Sequence, residues 1–521
     1  MNITTKTAAF LLTFFLVQSY GLCAESGAQL SNIEVDASKA VGMLKPLRGV
    51  NGSPKRPASN RRGTPSPAAD ISDGYRDAKV NMVRTHDSQG GNLDPSSGNL
   101  PPLGTGDSFS PELRKAADLN VIFPDVAADP GLPESYNFGP TDELIGAIHA
   151  IGAEVLFRLG RSGRTTAEPP TDLAKYGEII RHVVLHYNKG WANGFSYNVK
   201  YWEVWNEPDL GKLWWRGTPE QYYQFYETAA KAVKAADPNA LIGGPTIALV
   251  NQPTPYREGF LAYVRDNNLP LDFFSWHYYS SQDANDPYDF VRIGRNMREI
   301  LNAYGFKDTP SILDEWNSSL RRDAGGAKAM EQASFVLSSL IYMQDGDIDQ
   351  APIYRADREF GPKGSTPTKT GQGLIAVGRM DRTPVRLQVS GGDTNGFAVQ
   401  AGRSADGDII QVLISNYQIA EANIGPRKGE DVRHEGDLFD LKLLPRRTVT
   451  YDANGGYNLV IGGLDPDCDY DVERYRITGE RDFSLLDRSQ AKGVQVRLQA
   501  DIPPPAVELV VIIKHKPAGN K

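Results

Sequence analysis

The 521-residue sequence predicts an α/β chain, a (β/α)8 TIM barrel followed by a C-terminal β-sandwich. Three observations carry that reading. Between residues 41 and 382, short apolar runs alternate with amphipathic helical segments eight times over. From about Thr383 the helical period gives way to alternating strand-like runs separated by Gly-, Asp- and Asn-rich turns. The length also exceeds what one compact core holds, so two domains are expected.

The first 24 residues read as a signal peptide. Lys6 precedes an apolar stretch from Ala8 to Val17, and Leu22-Cys23-Ala24 supplies a cleavage region. The apolar run is well short of the ~20 residues a membrane span requires. Cys23 invites a lipoprotein reading, but Leu22 is not the small residue expected before a lipidated cysteine. Cleavage after Ala24 leaves Cys468 alone, so no internal disulfide forms despite export. The expected destination is secreted or periplasmic. Residues 25–40 are expected to join the sandwich, which occupies residues 383–521.

Eight barrel strands follow in order: Pro46–Asn51, Lys79–Asp87, Ala153–Leu159, Val199–Glu207, Leu241–Pro245, Asp272–Tyr279, Pro310–Asn317 and Gln350–Arg355. Helices fill the gaps. Asp172–Tyr187 places Leu173, Tyr176, Ile179, Ile180, Val183 and Val184 on one face. Pro219–Ala236 starts with Pro in its first turn and ends at Asp237-Pro238. Met330–Gln344 is a third helix. In the sandwich, Ile409–Ile414 and Val507–Ile513 are the clearest strands. Gly52–Ala68 and Ser88–Asp107 read as loops on the barrel rim.

Composition narrows the partners. The net charge is −8 and no long Lys/Arg run exists, which argues against nucleic acid or an anionic membrane surface. With 40% hydrophobic and 23% charged residues the chain has an ordinary globular balance.

In a (β/α)8 barrel the C-terminal strand ends meet at one mouth. Here those ends carry Asn51, Arg84, His86, Asp87, Arg158, Asn206, Glu207, His277, Tyr279, Glu315, Trp316, Asn317, Tyr354 and Arg355. Trp202–Asp209 and Ser311–Asn317 each run from apolar strand into a carboxylate beside an Asn. A carboxylate at the end of a buried strand is expensive to desolvate unless it is used. Two on strands four and seven fit glycoside hydrolysis, which needs a proton donor for the leaving oxygen and a second carboxylate at the anomeric carbon. A gap of roughly 5–5.5 Å between them would mean a retaining, covalent mechanism. Asn206 is a candidate for the sugar 2-hydroxyl, and Trp316 for a flat apolar surface under a pyranose.

These segments resemble family 39 of the glycoside hydrolases, the β-xylosidases and α-L-iduronidases, and the resemblance covers most of the mature chain. Trp205-Asn206-Glu207-Pro208 is similar to that clan's acid/base motif, and Leu313–Asn317 is similar to its nucleophile motif. The resemblance implies a retaining, β-xylosidase-like hydrolase with Glu207 as acid/base and Glu315 as nucleophile. It implies an oligo- or polysaccharide substrate and no metal or organic cofactor. Arg84-Thr85-His86 resembles the family's Arg-aromatic-His. His277-Tyr278-Tyr279 resembles its His-x-Tyr, whose Tyr would contact the nucleophile. Ile502–Val507 resembles the Pro-rich approach to the last sandwich strand. Thr85 and Asp87 depart from the aromatic and Gly common around that His. His86, Asp87, His277, Tyr279, Trp316, Arg84 and Asn206 are thereby the substrate-contact candidates.

Plainer readings apply elsewhere. Asp314 is expected to be structural, since strict alternation turns it from the mouth if Glu315 faces in. Arg84 fits equally a residue that orients the nucleophile from beneath. Arg158, Tyr354 and Arg355 are open between site and rim. His182 and His186 lack the Glu of a His-Glu-x-x-His zinc helix and lie beside Val183 and Val184, so they read as packing. Asp465–Asp471 mimics a calcium loop but has Tyr470 at the turn-Gly position, so it reads as a strand connection. Among Trp214, Trp215, Tyr222, Tyr223, Phe225 and Tyr226, only the two Trp are candidates for the rim. Two alternative functions stay open: an endo-acting exopolysaccharide hydrolase, and a non-catalytic carbohydrate-binding protein on a decayed barrel.

Overall fold

A computed structural model of the chain describes residues 29–56, 59–61, 64–66, 68–86, 116–162, 167–280, 285–319, 327–425, 446–447 and 454–515. The expected signal peptide, Cys23, Asp87 and the rim loop Ser88–Asp107 lie outside the described residues.

Seven parallel strands form the barrel sheet: Val50–Asn51, Met82–Arg84, Glu154–Leu159, Tyr201–Val204, Leu241–Ile247, Phe273–Tyr279 and Ser311–Asn317. They pair in chain order, with every contact parallel. The eighth position differs from expectation. Gln350–Arg355 closes the barrel through single bridges, Ile312 to Gln350, Trp316 to Ile353 and Val50 to Ile353, rather than as a regular strand. Pro352 in its middle has no N–H to give a ladder. The neighbouring N–H groups still bond on both sides, Ile353 to Gly49 O at 3.0 Å and Tyr354 to Trp316 O at 2.9 Å.

Inside the barrel the side chains stack in layers. Met82, Leu156, Phe273 and Ile312, with Tyr201 and Leu241 beside them, make an apolar floor. Two residues further along four of those strands stand Arg84, Arg158, Glu203 and Asp314, all fully buried. A strand's period of two therefore lays a charged tier directly on the apolar one. Outward-facing Trp202, Val204, Trp276 and Leu313 join the main core under the helices.

The helices follow local chemistry. In Leu173–Lys189 the Asp172 side chain accepts from the Lys175 N–H at 2.9 Å, and Gly190 takes the left-handed cap (φ 75°). Pro219–Ala236 opens with a capping box, Thr218 and Gln221 each bonding the other's backbone N–H. Ala327–Met343 carries the helix expected at Met330–Gln344. Among the described residues no helix is long and apolar enough to cross a membrane.

The C-terminal part is a nine-stranded sheet that includes the N-terminal strand Gln29–Met43, paired antiparallel to Val385–Ser390 and parallel to Asn454–Gly462. The sheet doubles over into two layers. Tyr457 and Glu508 sit on strands that are not neighbours in the sheet, yet the Tyr457 hydroxyl donates to Glu508. Ile33, Leu459, Val472, Val496, Val510 and Ile512 fill the space between the layers. The sandwich packs on helix Ala327–Met343, where Ser338 Oγ donates to Gly396 O at 2.8 Å and Ser415 Oγ to Ser334 O at 2.9 Å. Asp465–Asp471 is a strand connection, with Asp465 paired to Lys514 at 2.9 Å.

Candidate active site

The mouth of the barrel is organised around Arg84, which is fully buried. Its Nε donates to Glu203 Oε2 and reaches Asp314 Oδ2, both at 2.8 Å. Nη1 donates to Glu315 Oε2 at 3.0 Å, and Nη2 to Asn206 Oδ1 at 2.9 Å. One planar fork thus ties strands two, four and seven together. The surrounding carboxylates hold the guanidinium charged against the burial that opposes it.

Glu315 takes a second hydrogen bond on its other oxygen, from the Tyr279 hydroxyl at 2.7 Å. Burial, and next the Glu315 charge, push the Tyr279 phenol far above its ordinary range, so it stays a donor. Glu207 lies opposite. Its Oε1 faces His277 Nδ1 at 2.8 Å, and Asn206 Nδ2 is 3.4 Å from Oε2. His277 Nε2 faces Asp314 Oδ2 at 3.3 Å. A carboxyl oxygen stands at each ring nitrogen, an arrangement that suits an imidazolium donating on both sides. Burial works against that charge, but Glu315 and Asp314 outweigh it and raise the His277 pKa well above its ordinary value. A carboxylate oxygen of Glu207, one of Glu315 and a ring nitrogen of His277 all lie within 4.8 Å of one another. This trio has metal-ligand spacing, yet a cation there would have to displace the His277 proton and compete with Arg84 for Glu315.

The backbone at the acid motif is bent. Trp205 (φ 73°) and Glu207 (φ 45°) both adopt left-handed conformations, which are costly for non-glycine residues. The bend is held from several sides. Trp205 is fully buried with its Nε1 donating to Trp214 O at 2.7 Å, and the Glu207 N–H donates to Thr246 O at 3.0 Å. Asp209 then accepts from the backbone N–H groups of Ala248 and Leu249, the latter at 2.7 Å. Burial pushes the Asp209 pKa up to about 6.

Two expectations are corrected here. Asp314 does not turn from the mouth. The register between strands six and seven slips, Leu313 pairing with Trp276 but Glu315 with His277, so a bulge at Asp314 lets both carboxylates face inward. The same slip turns Trp316 outward. Its indole is fully buried, stands edge-on to Phe290 at 5.0 Å, and donates to Ala351 O at 2.8 Å. A side chain so enclosed has no face to offer a sugar.

The remaining candidates divide. His86 lies beside Trp214, ring centroids 5.4 Å apart, so Trp214 reaches this side of the rim. Trp215 is core, with its Nε1 donating to Thr218 O at 3.0 Å. Arg158 pairs with Asp118, and Arg355 pairs with Asp357 through Nε–Oδ1 at 3.0 Å. Tyr354 stands edge-on to Tyr279 at 6.0 Å. His186 and His182 are taken up locally, by Asp142 at 3.0 Å and by the Glu178 carbonyl at 2.9 Å. Sequence reasoning missed Glu203 and Asp209. Glu203 stands in an otherwise apolar strand, and the argument that singled out Glu207 applied to it equally.

Comparison with known proteins gives the family. The family model for glycosyl hydrolases family 39 matches residues 137–352. A solved glucosidase from Croceicoccus marinus superposes with a TM-score of 0.78 at 35% identity, covering 94% of this chain and 100% of that one. The chain belongs to glycosyl hydrolase family 39. Its relatives include a β-xylosidase from Caldicellulosiruptor saccharolyticus, 30% identical over 44% of this chain, and one from Geobacillus stearothermophilus, 26% identical over 38%. The matches take in 49% and 44% of those proteins, so the chain spans about half the length of these two relatives.

Proposed function

We propose that this family 39 protein is an exported retaining glycosidase in which Glu207 is the general acid/base and Glu315 the nucleophile. The observation that carries the reading is the approach of the two carboxylates, with nearest oxygens no more than 4.8 Å apart on strands four and seven. Carboxylates this close fit a retaining pair, whose groups stand about 5–5.5 Å apart, better than an inverting pair at roughly 6.5–9.5 Å. In the first step Glu315 attacks the anomeric carbon while Glu207 protonates the departing oxygen. In the second, Glu207 takes a proton from water, which displaces Glu315. Arg84 and Tyr279 orient the nucleophile, and His277 donates to Glu207. His86 and Trp214 flank the glycone. Export rests on the N-terminal signal pattern and is tested by the N-terminal sequence of the mature protein.

Xylose is the first candidate glycone because two relatives of the chain are named β-xylosidases. Glucose is the second, because the relative matched end to end is named a glucosidase. Aryl β-xyloside and β-glucoside turnover by the purified protein, with Glu315→Ala as control, separates them. Full activity of Glu315→Ala would sink the mechanism. Azide rescue of Glu207→Ala on a substrate with a good leaving group supports the acid/base role. Silence on aryl glycosides with cleavage of a polymer would favour an endo-acting enzyme.

A further inference from the structure

We propose that Glu203 is a positioning residue whose neutral carboxyl donates a hydrogen bond to Asp314, so that the pair presents one negative charge, not two, to the guanidinium that holds Glu315. Glu203 Oε2 and Asp314 Oδ2 both sit 2.8 Å from the same Arg84 nitrogen, and both side chains are fully buried. Their other oxygens, Glu203 Oε1 and Asp314 Oδ1, are buried and find no hydrogen-bond donor among the described residues. Two ionised carboxylates this close repel, and a buried acceptor without a donor costs its full desolvation. One proton between them answers both problems.

The geometry also decides which residue holds that proton. Asp314 faces His277 Nε2 as well as the Arg84 guanidinium, whereas Glu203 takes the Arg84 hydrogen bond with no imidazole at hand among the described residues. Negative charge is therefore better compensated on Asp314. Burial, working against the pull of Arg84, moves the Glu203 pKa well above its usual value, while Asp314 moves below, because Arg84 and His277 outweigh its own burial.

The charge count explains the consequence. The titratable groups facing the pair are Arg84 from strand two, Arg158 from strand three with its partner Asp118, Glu207 from strand four, His277 and Tyr279 from strand six, and Glu315 from strand seven. Tyr222 packs from the helix side, its hydroxyl on Val204 O. With Glu203 neutral and Glu207 carrying the proton it gives to the leaving oxygen, Arg84 and His277 balance Asp314 and Glu315, while Arg158 is balanced by Asp118. An ionised Glu203 would place a third anion on Arg84 and draw the fork away from Glu315. The mechanistic part rests on Glu315 being the nucleophile; the location of the proton does not.

Infrared spectroscopy of the full chain at about pH 8 tests the proton directly. Glu207→Gln is used as background, so that any proton on the general acid is absent. The carbonyl band of a protonated carboxyl should persist in Glu207→Gln and vanish in the Glu203→Gln/Glu207→Gln double variant. No band in Glu207→Gln, or a band that survives in the double variant, overturns the assignment. In otherwise native protein, Glu203→Ala should lower kcat about tenfold or more with a smaller change in KM. Glu203→Gln, whose amide N–H replaces the acid proton, should recover most of that loss. A folded Glu203→Gln as impaired as Glu203→Ala would show that a charge is needed there. Should Glu203→Ala fail to fold, the infrared comparison still decides, and inactivity on every glycoside would refute the glycosidase reading without touching the infrared result.

Discussion

Tyr279→Phe isolates one hydrogen bond at the nucleophile. The substitution removes only the hydroxyl that donates to Glu315 Oε1 at 2.7 Å. The ring keeps its edge contact with Tyr354, and Glu315 Oε2 keeps its bond from Arg84. A hydrogen bond to a charged group contributes about 1.5–3 kcal/mol. The bond is strongest when Glu315 carries full negative charge, weaker when that oxygen is esterified to the sugar, and regained as the sugar leaves. Its loss should therefore raise the barrier to deglycosylation by on the order of 1.5–3 kcal/mol, slowing that step about 10- to 100-fold. Glycosylation, in which charge leaves Glu315, should slow less. The assay is rapid-mixing turnover of an aryl glycoside with a good leaving group. Tyr279→Phe should show a burst of aryl alcohol equal to the enzyme concentration, followed by slow turnover and a lowered KM. A variant with no burst and an unchanged KM, or with kcat within threefold of the parent, would refute the reasoning.

Other substitutions test the rest of the site. Arg84→Met leaves Glu203, Asp314 and Glu315 without their shared cation, and should destabilise the fold by about 3–5 kcal/mol; thermal melts should fall by on the order of 5–10 °C, and an unchanged melt would contradict the network. Asp209 has a folded pKa of about 6, above the ordinary 3.8, so the native state retains a proton that the unfolded chain releases. That contribution is complete below about pH 3.8 and is lost as pH rises to 6, up to roughly 3 kcal/mol. Parallel urea titrations should therefore show native protein losing stability relative to Asp209→Asn across this window, and a constant difference would refute the assignment. Trp316→Ala empties a buried site, and a loss of about 3–5 kcal/mol of stability with KM nearly unchanged in the folded fraction would mark it as core; a KM effect without a stability effect would restore the sugar-platform reading.

Local order was legible in the sequence wherever a short-range period decided it. Alternating apolar runs and helical faces indicated the barrel, Pro219 to Ala236 carried its own start and stop, and Trp205-Asn206-Glu207-Pro208 marked the mouth. Glu207, Glu315, Arg84, His277 and Tyr279, which the structure brings together, could be picked out as candidates because a polar group at a strand end is conspicuous in one dimension. The tertiary structure alone decided three things. Which of Asp314, Glu315 and Trp316 face inward depends on a bulge, and a bulge is fixed by register against the neighbouring strand, not by the strand's own residues. Closure by Gln350–Arg355 depends on carbonyls and N–H groups of strands one and seven, far away in sequence. The charge on Glu203 depends on Arg84 and Asp314, 119 and 111 positions away, because a proton's location is set by the field of every group around it.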